Sequence, residues 1–241
     1  MEVTCVRYGN QRAAGVQCTC SDREIFCGPR TDSARVPQMH SPLPSSDPPA
    51  RCEQSAGSPL SVYLRDATRS VHGSLDAFLI GQRLFESTLR YGRFLQVQWH
   101  FHHAAAPLYR DRLALPLTSR LGLVEQDLMD TGAPLPPAHA WRPRLQHASR
   151  ASALGWLYTV EGSALGSAVL LKYAAALGLG AGHGARHLAP SPAGVAEQWR
   201  ITRAHLDAQP LTQRQRQQAC SAAQQAFAFV RRCAAEVFSK A

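Results

Sequence analysis

One histidine and two glycines have the residue types and spacing that chemistry at a flat ligand would need. His72 lies in VYLRDATRSVHGSLDAF, where Arg65, Thr68, His72 and Asp76 follow one another at intervals of three or four. On a helix these positions share a face, so a guanidinium, an imidazole and a carboxylate form a polar strip beside the apolar one. A histidine there can point into a cavity next to the core or simply sit at the surface. Gly162 and Gly166 lie in GWLYTVEGSALGSAVLLKY (155–173), an otherwise apolar helix, with Ser163 and Ser167 beside them. Residues four apart fall about 40° apart around a helix, so the glycines open one bare strip of backbone. Each costs roughly 1 kcal/mol against Ala in a helix interior. Close packing of a second helix would offset that cost, and so would a flat ligand lying on the backbone. The glycines alone do not separate the two.

The histidine and the glycines taken together favour the ligand. A flat, apolar molecule with an acidic edge takes a histidine on one face, bare backbone on the other and basic residues at its rim. Haem has all three needs: iron accepts a proximal imidazole, and the propionates pair with Arg or Lys.

The pattern LRDATRSVHGSLD (64–76), followed about 90 residues later by LYTVEGSALGSAVLLKYAAALGL (157–179), resembles the bacterial haem oxygenases. The nearest likeness is to the branch associated with bacteriophytochromes. GARHLAPSPAGVAEQWRITRAHLD (184–207) and the AF-containing last helix are similar to that branch too, so the likeness spans about residues 58–238. The resemblance implies that His72 is the proximal haem ligand and the metal ligand. It implies that Gly162 and Gly166 are the distal glycines that admit oxygen and let the helix bend, with Ser163 and Ser167 at small distal positions. Arg65, two turns before the ligand, is implied to meet a propionate, with Tyr158 and Lys172 as further pocket residues.

The implied activity is that of a biliverdin-producing monooxygenase in haem catabolism. Haem is both cofactor and substrate, O2 the oxidant, and biliverdin, CO and Fe2+ the products. Electrons come from an external reductant, a ferredoxin or an NADPH-dependent reductase, and a water network supplies protons. An acidic electron-donor protein and a bacteriophytochrome receiving biliverdin are the implied partners of a cytoplasmic monomer. The alternatives are a non-catalytic haem-binding or trafficking protein of the same fold, and a thiaminase-like helical hydrolase with Cys220 in its pocket.

These residues need helices to position them. Leu60, Leu64, Ala67, Val71, Leu75 and Phe78 recur at helical spacing, with Ser58 and Ser61 as candidate N-caps. Further helices are expected over 85–103 and 155–173, in short pieces over 112–129, and over 195–206 and 212–240. TGAPLPPAHAWRP and GLGAGHGARHLAPSP read as loops. Strand alternation is absent, so the expected fold is all-α, a single haem-oxygenase-like helical domain over 58–241. Residues 1–57 are rich in Pro, Ser, Gly, Arg and Cys and read as a disordered leader, possible also as an over-extended start before Met39.

Composition narrows the partners. The chain has 241 residues and a formal net charge of +9. Residues 1–57 hold six basic and six acidic side chains, so the excess lies in the helical part. That favours an acidic ligand or partner. No stacking-aromatic or zinc-finger pattern supports nucleic acid, and no apolar run is expected to span a membrane. Five of seven cysteines precede residue 53, an odd total without an export signal, which argues against a disulfide framework. Cys220 and Cys233 read as small hydrophobes. The histidines of WHFHH (His100, His102, His103) read as ordinary core and surface residues, and His139, His147, His183, His187 and His205 as loop or surface residues.

Overall fold

The structure is a computed structural model that describes residues 57–109 and 117–239. The expected leader, its cysteines and Met39 lie outside the described residues. Among the described residues, seven α-helices carry the fold: α1 (Leu60–Gly81), α2 (Thr88–Ala105), α3 (Leu121–Asp130), α4 (Arg150–Ser163), α5 (Ser167–Ala175), α6 (Val195–Asp207) and α7 (Gln213–Phe238). Short 3-10 turns at 106–109, 145–147, 164–166 and 186–188 join or extend them. The only β pairings among the described residues are isolated bridges around Gly180, so the all-α expectation holds.

Caps decide several boundaries. Ser87, Ser149 and Thr212 each accept a backbone N–H three residues on, and Thr212 and Gln215 close a full capping box. The start of α1 differs from expectation. Its N-cap is Pro59, without a side-chain cap. Ser61 instead lies inside the first turn, donating its N–H (2.7 Å) and its hydroxyl (2.9 Å) to the two carboxylate oxygens of Asp207 at the end of α6. A carboxylate from another helix thus meets the free amides and positive end of α1.

The core is built on α7. Its buried face is mostly small, with Ala219, Cys220, Ala222, Ala223, Ala226, Cys233 and Ala234, and it packs on α4, α1 and α2. Gly155 makes the closest approach. A Cβ built there would run into the carbonyl oxygen of Ala219 and lie within 3.0 Å of the Ala223 amide nitrogen. The close helix packing weighed above for Gly162 and Gly166 is therefore carried by Gly155, about two turns before Gly162. Cys220 is fully buried on this face of α7. Cys233 is a buried free thiol, pushed up to about 12 by burial and by Glu236.

Arg150–Ala175 is the most apolar stretch of the described residues. These 26 residues are long and apolar enough, by length and composition, to cross a membrane, but half of the most apolar window is buried inside the protein. This is the property of a core helix as much as of a span.

Gly155→Ala is expected to destabilise the fold by about 3 kcal/mol, the upper end of overpacking costs, because the obstructing atoms are backbone. Urea unfolding at neutral pH measures it.

Candidate functional site

His72 stands out on α1, with its side chain 59% exposed. Its Nε2 lies 3.6 Å from Asp76 Oδ2 one turn on, and its ring lies 5.4 Å from the Phe227 ring of α7. Partial burial pushes the Asp76 carboxyl up, while His72 opposes that shift. The carboxylate one turn after the histidine holds the imidazole's orientation, and Phe227 supplies an apolar flank.

The polar strip is less uniform than spacing alone implies. Arg65 is exposed and pairs with its neighbour Asp66 at 3.1 Å. Thr68 turns inward, 3% exposed, and donates to the Leu64 carbonyl at 2.7 Å. Tyr158 of α4 reaches this end of α1. Burial pushes its phenol up, and the nearby Thr68 hydroxyl and Arg65 charge oppose the shift. Lys172 is exposed in the last turn of α5.

The glycine segment is not one continuous helix. α4 ends at Ser163, Ala164–Gly166 form a 3-10 turn, and α5 starts at Ser167. Ser163 Oγ donates back to the Val160 carbonyl at 2.7 Å, a local bond that bends helices. The tighter 3-10 turn rotates residues by about 120° each, so the glycines no longer share one strip. A Cβ on Gly162 would touch the Trp199 indole of α6 at 3.6 Å, whereas one on Gly166 would meet nothing within 4 Å. Leu165, 49% exposed, and Val169, 48% exposed, flank Gly166. The outcome is an apolar, open surface around Gly166 with an indole and a phenol beside it, since Tyr158 and Trp199 lie 5.7 Å apart. Trp199 carries no spacing signal; only the fold of α6 back onto α4 places it.

Behind this segment lies a buried polar layer. Glu161 accepts the Tyr109 hydroxyl at 2.5 Å; burial pushes its carboxyl up, against the pull of Tyr109, Arg120 and Gln198. His187 is 2% exposed, not the loop or surface residue expected. Its Nδ1 lies 2.8 Å from Asp127 Oδ2, and Asp127 also accepts the backbone N–H groups of Arg186 (2.9 Å) and His187 (3.0 Å). Burial alone would raise the Asp127 carboxyl, but the His187 ring and these amides together hold it below the usual range. Arg186 bridges to Asp130, and Arg120 donates to the His187 carbonyl at 2.7 Å. Burial lowers His187 and takes His102 down to about 3, so both rings are neutral at pH 7. Among the described residues, three buried atoms there have no hydrogen-bond partner: His102 Nδ1, His187 Nε2 and Ser167 Oγ. His100 and His103 are engaged differently, His100 stacking on His139 at 4.0 Å and His103 on Trp99 at 4.5 Å.

The family model described as Heme oxygenase matches residues 125–236, a stretch that begins after His72. Heme oxygenase PigA of Pseudomonas aeruginosa is 38% identical over 166 residues, covering 66% of this chain and 83% of that protein. The NO- and CO-bound heme oxygenase from Neisseria meningitidis is similar in structure, with a TM-score of 0.70 and 36% identity over 75% of this chain and 92% of that one. The heme oxygenase from Leptospira interrogans, 20% identical with a TM-score of 0.59, covers 76% of this chain and 100% of its own and shares the fold. The chain belongs to the haem oxygenase family, enzymes that degrade haem with O2 and a reductant.

Asp127→Asn is expected to cost about 3 kcal/mol, because it leaves buried donors facing an amide instead of a carboxylate. The Asp127 carboxyl is depressed in the folded protein, so its stabilisation is present above the unfolded value near 4 and lost as pH falls through the lower folded value. Urea unfolding of both proteins from pH 7 to 3 should show the gap between them closing at the acid end.

Proposed function

We propose that the site between α1 and the α4–α5 break binds haem, with His72 as the proximal ligand, and that the chain cleaves it to biliverdin, CO and Fe2+. The observation that carries this reading is His72 itself: an exposed imidazole 3.6 Å from a carboxylate one turn on, flanked by an aromatic ring. The surroundings fit the group. The open apolar surface around Gly166, with exposed Leu165 and Val169, suits a flat ring. Arg65 and Lys172 are free enough of burial to reach propionates, and Tyr158 can donate its phenolic proton at the same edge.

Haem brings the redox-active iron and the ring that is oxidised; the protein's own residues bind, orient and supply protons. His72 would hold the iron, and Asp76, one turn on and 3.6 Å from the ring, is within reach to orient the imidazole. Gly166 keeps the distal side clear of side chains, and Trp199 closes the space beside Gly162. The unpartnered Ser167 Oγ, His102 Nδ1 and His187 Nε2 are buried atoms of the kind that ordered water satisfies. Water held there is the proton source we favour over a side-chain acid, since Glu161 is committed to Tyr109. The net charge of +9 suits an acidic electron donor such as a ferredoxin. Delivery of biliverdin to a bacteriophytochrome is a further reading from the resemblance, as is a single working unit over residues 58–241.

Haemin titration followed by aerobic turnover with ascorbate tests the proposal. The wild-type chain should give a histidine-ligated Soret spectrum and then biliverdin, identified by chromatography. His72→Ala should lose both, with bilin formation down by at least about a hundredfold. An unchanged spectrum in His72→Ala would overturn the assignment. Gly166→Ala should be as stable as wild type or up to about 1 kcal/mol more so. Its haem spectrum and turnover should nevertheless change, because the added methyl enters the ligand's space.

A further inference from the structure

We propose that Glu161 is a positioning residue: by accepting the Tyr109 hydroxyl it fixes where α4 breaks, and so sets how the Gly162–Gly166 backbone lies over the haem ring. The inference rests on the reading that haem lies against that segment.

Glu161 is the residue immediately before Gly162, and it is 8% exposed. A carboxylate at such a place needs a reason, since burying a charge costs several kcal/mol unless partners offset it. Its Oε1 receives the Tyr109 hydroxyl at 2.5 Å, and Arg120 and Gln198 lie near enough to influence it. Tyr109 closes the 3-10 turn that prolongs α2, and α2 is held in the core by Phe94, Leu95, Val97 and Phe101. The bond therefore ties the least regular point of the α4–α5 segment to one of the most deeply buried helices.

The break itself is locally underdetermined. Two glycines, the Ser163 back-bond to Val160 and a 3-10 turn all loosen the helix within five residues. Each glycine shifts local helix preference by only about 1 kcal/mol, so neighbouring break positions are close in energy. Moving the break by one residue would turn the direction in which α5 leaves α4 by about 100° around the helix axis. A shift of that size at Gly166 changes which part of a haem edge is open. A single buried hydrogen bond, strengthened where it is charge-assisted, is enough to select one position. Glu161 touches none of the reacting atoms in this scheme; it acts through backbone.

The test uses the full chain reconstituted with haemin. Glu161→Leu and Tyr109→Phe each remove the bond, the double variant removes it once, and Glu161→Gln keeps an acceptor. The readouts are the biliverdin isomer ratio, the pH midpoint of the ferric haem's alkaline transition, and urea unfolding. The two single variants should shift the isomer ratio by about twofold or more, and the double variant should add little to either. Glu161→Gln should restore the wild-type ratio. Loss of stability with the isomer ratio and the alkaline midpoint unchanged would reduce Glu161 to a structural role and overturn the inference, as would a glutamine variant that behaves like leucine. If Glu161→Leu does not fold, Tyr109→Phe, which deletes one oxygen, decides the matter. A wild-type chain that gave no histidine-ligated spectrum or no bilin would instead overturn the haem reading, so the two failures are distinct.

Discussion

The fold depends on one contact in which backbone meets backbone: α4 lies against α7 with Gly155 over the Ala219 carbonyl. Only glycine permits that separation, and the alanine-rich face of α7 extends it along the helix. Bringing α4 this close lets α7 hold α1 and α2 as well, so one long helix organises the others around its small-residue face. The site inherits its geometry from that arrangement. α1 carries His72 past Phe227 of α7, and α4 leaves the contact with Gly155 to reach its break at Ala164–Gly166 about two turns later. Close packing thus falls to Gly155, while Gly162 and Gly166, farther along the same segment, are left out of the α4–α7 contact.

Electrostatics divide in the same way. The exposed edge near α1 carries Arg65, Asp66 and His72, where solvent screens charge and geometry can adapt. The layer behind the α4–α5 break is buried and committed, with Asp127 fastened to His187 and Arg186, and Glu161 fastened to Tyr109. A rigid rear layer and an adaptable open face suit a segment that must hold its shape while one side of it stays clear.

Helical periodicity made the elements legible because apolar residues recur every three or four positions, and Ser87, Ser149 and Thr212 mark starts by local bonds. What the chain did not disclose lies far apart in sequence. The carboxylate that serves the start of α1 is 146 residues away at Asp207, and Asp127 holds a ring 60 residues on. His187 sits in a glycine-rich stretch that reads as loop, yet two backbone amides and a buried carboxylate draw it into the core. Gly155 did have a signal, since a glycine facing a run of Ala219, Ala222, Ala223 and Ala226 marks close packing. The brighter pair at Gly162 and Gly166 overshadowed it. Their shared strip followed from uniform helical rotation, and a 3-10 turn removes that premise.

The position of α7 after every element it covers has a consequence for synthesis. As the chain emerges from the ribosome, α1, α2 and α4 are complete before the face that buries them exists. The largely apolar stretch from Arg150 to Ala175 then waits as exposed surface while about sixty more residues, through Phe238, are added. Native burial arrives in one late step, when α7 docks and seats its alanines against Gly155. Until then the apolar faces of α1, α2 and α4 stay uncovered, the interval in which a nascent chain is most open to aggregation.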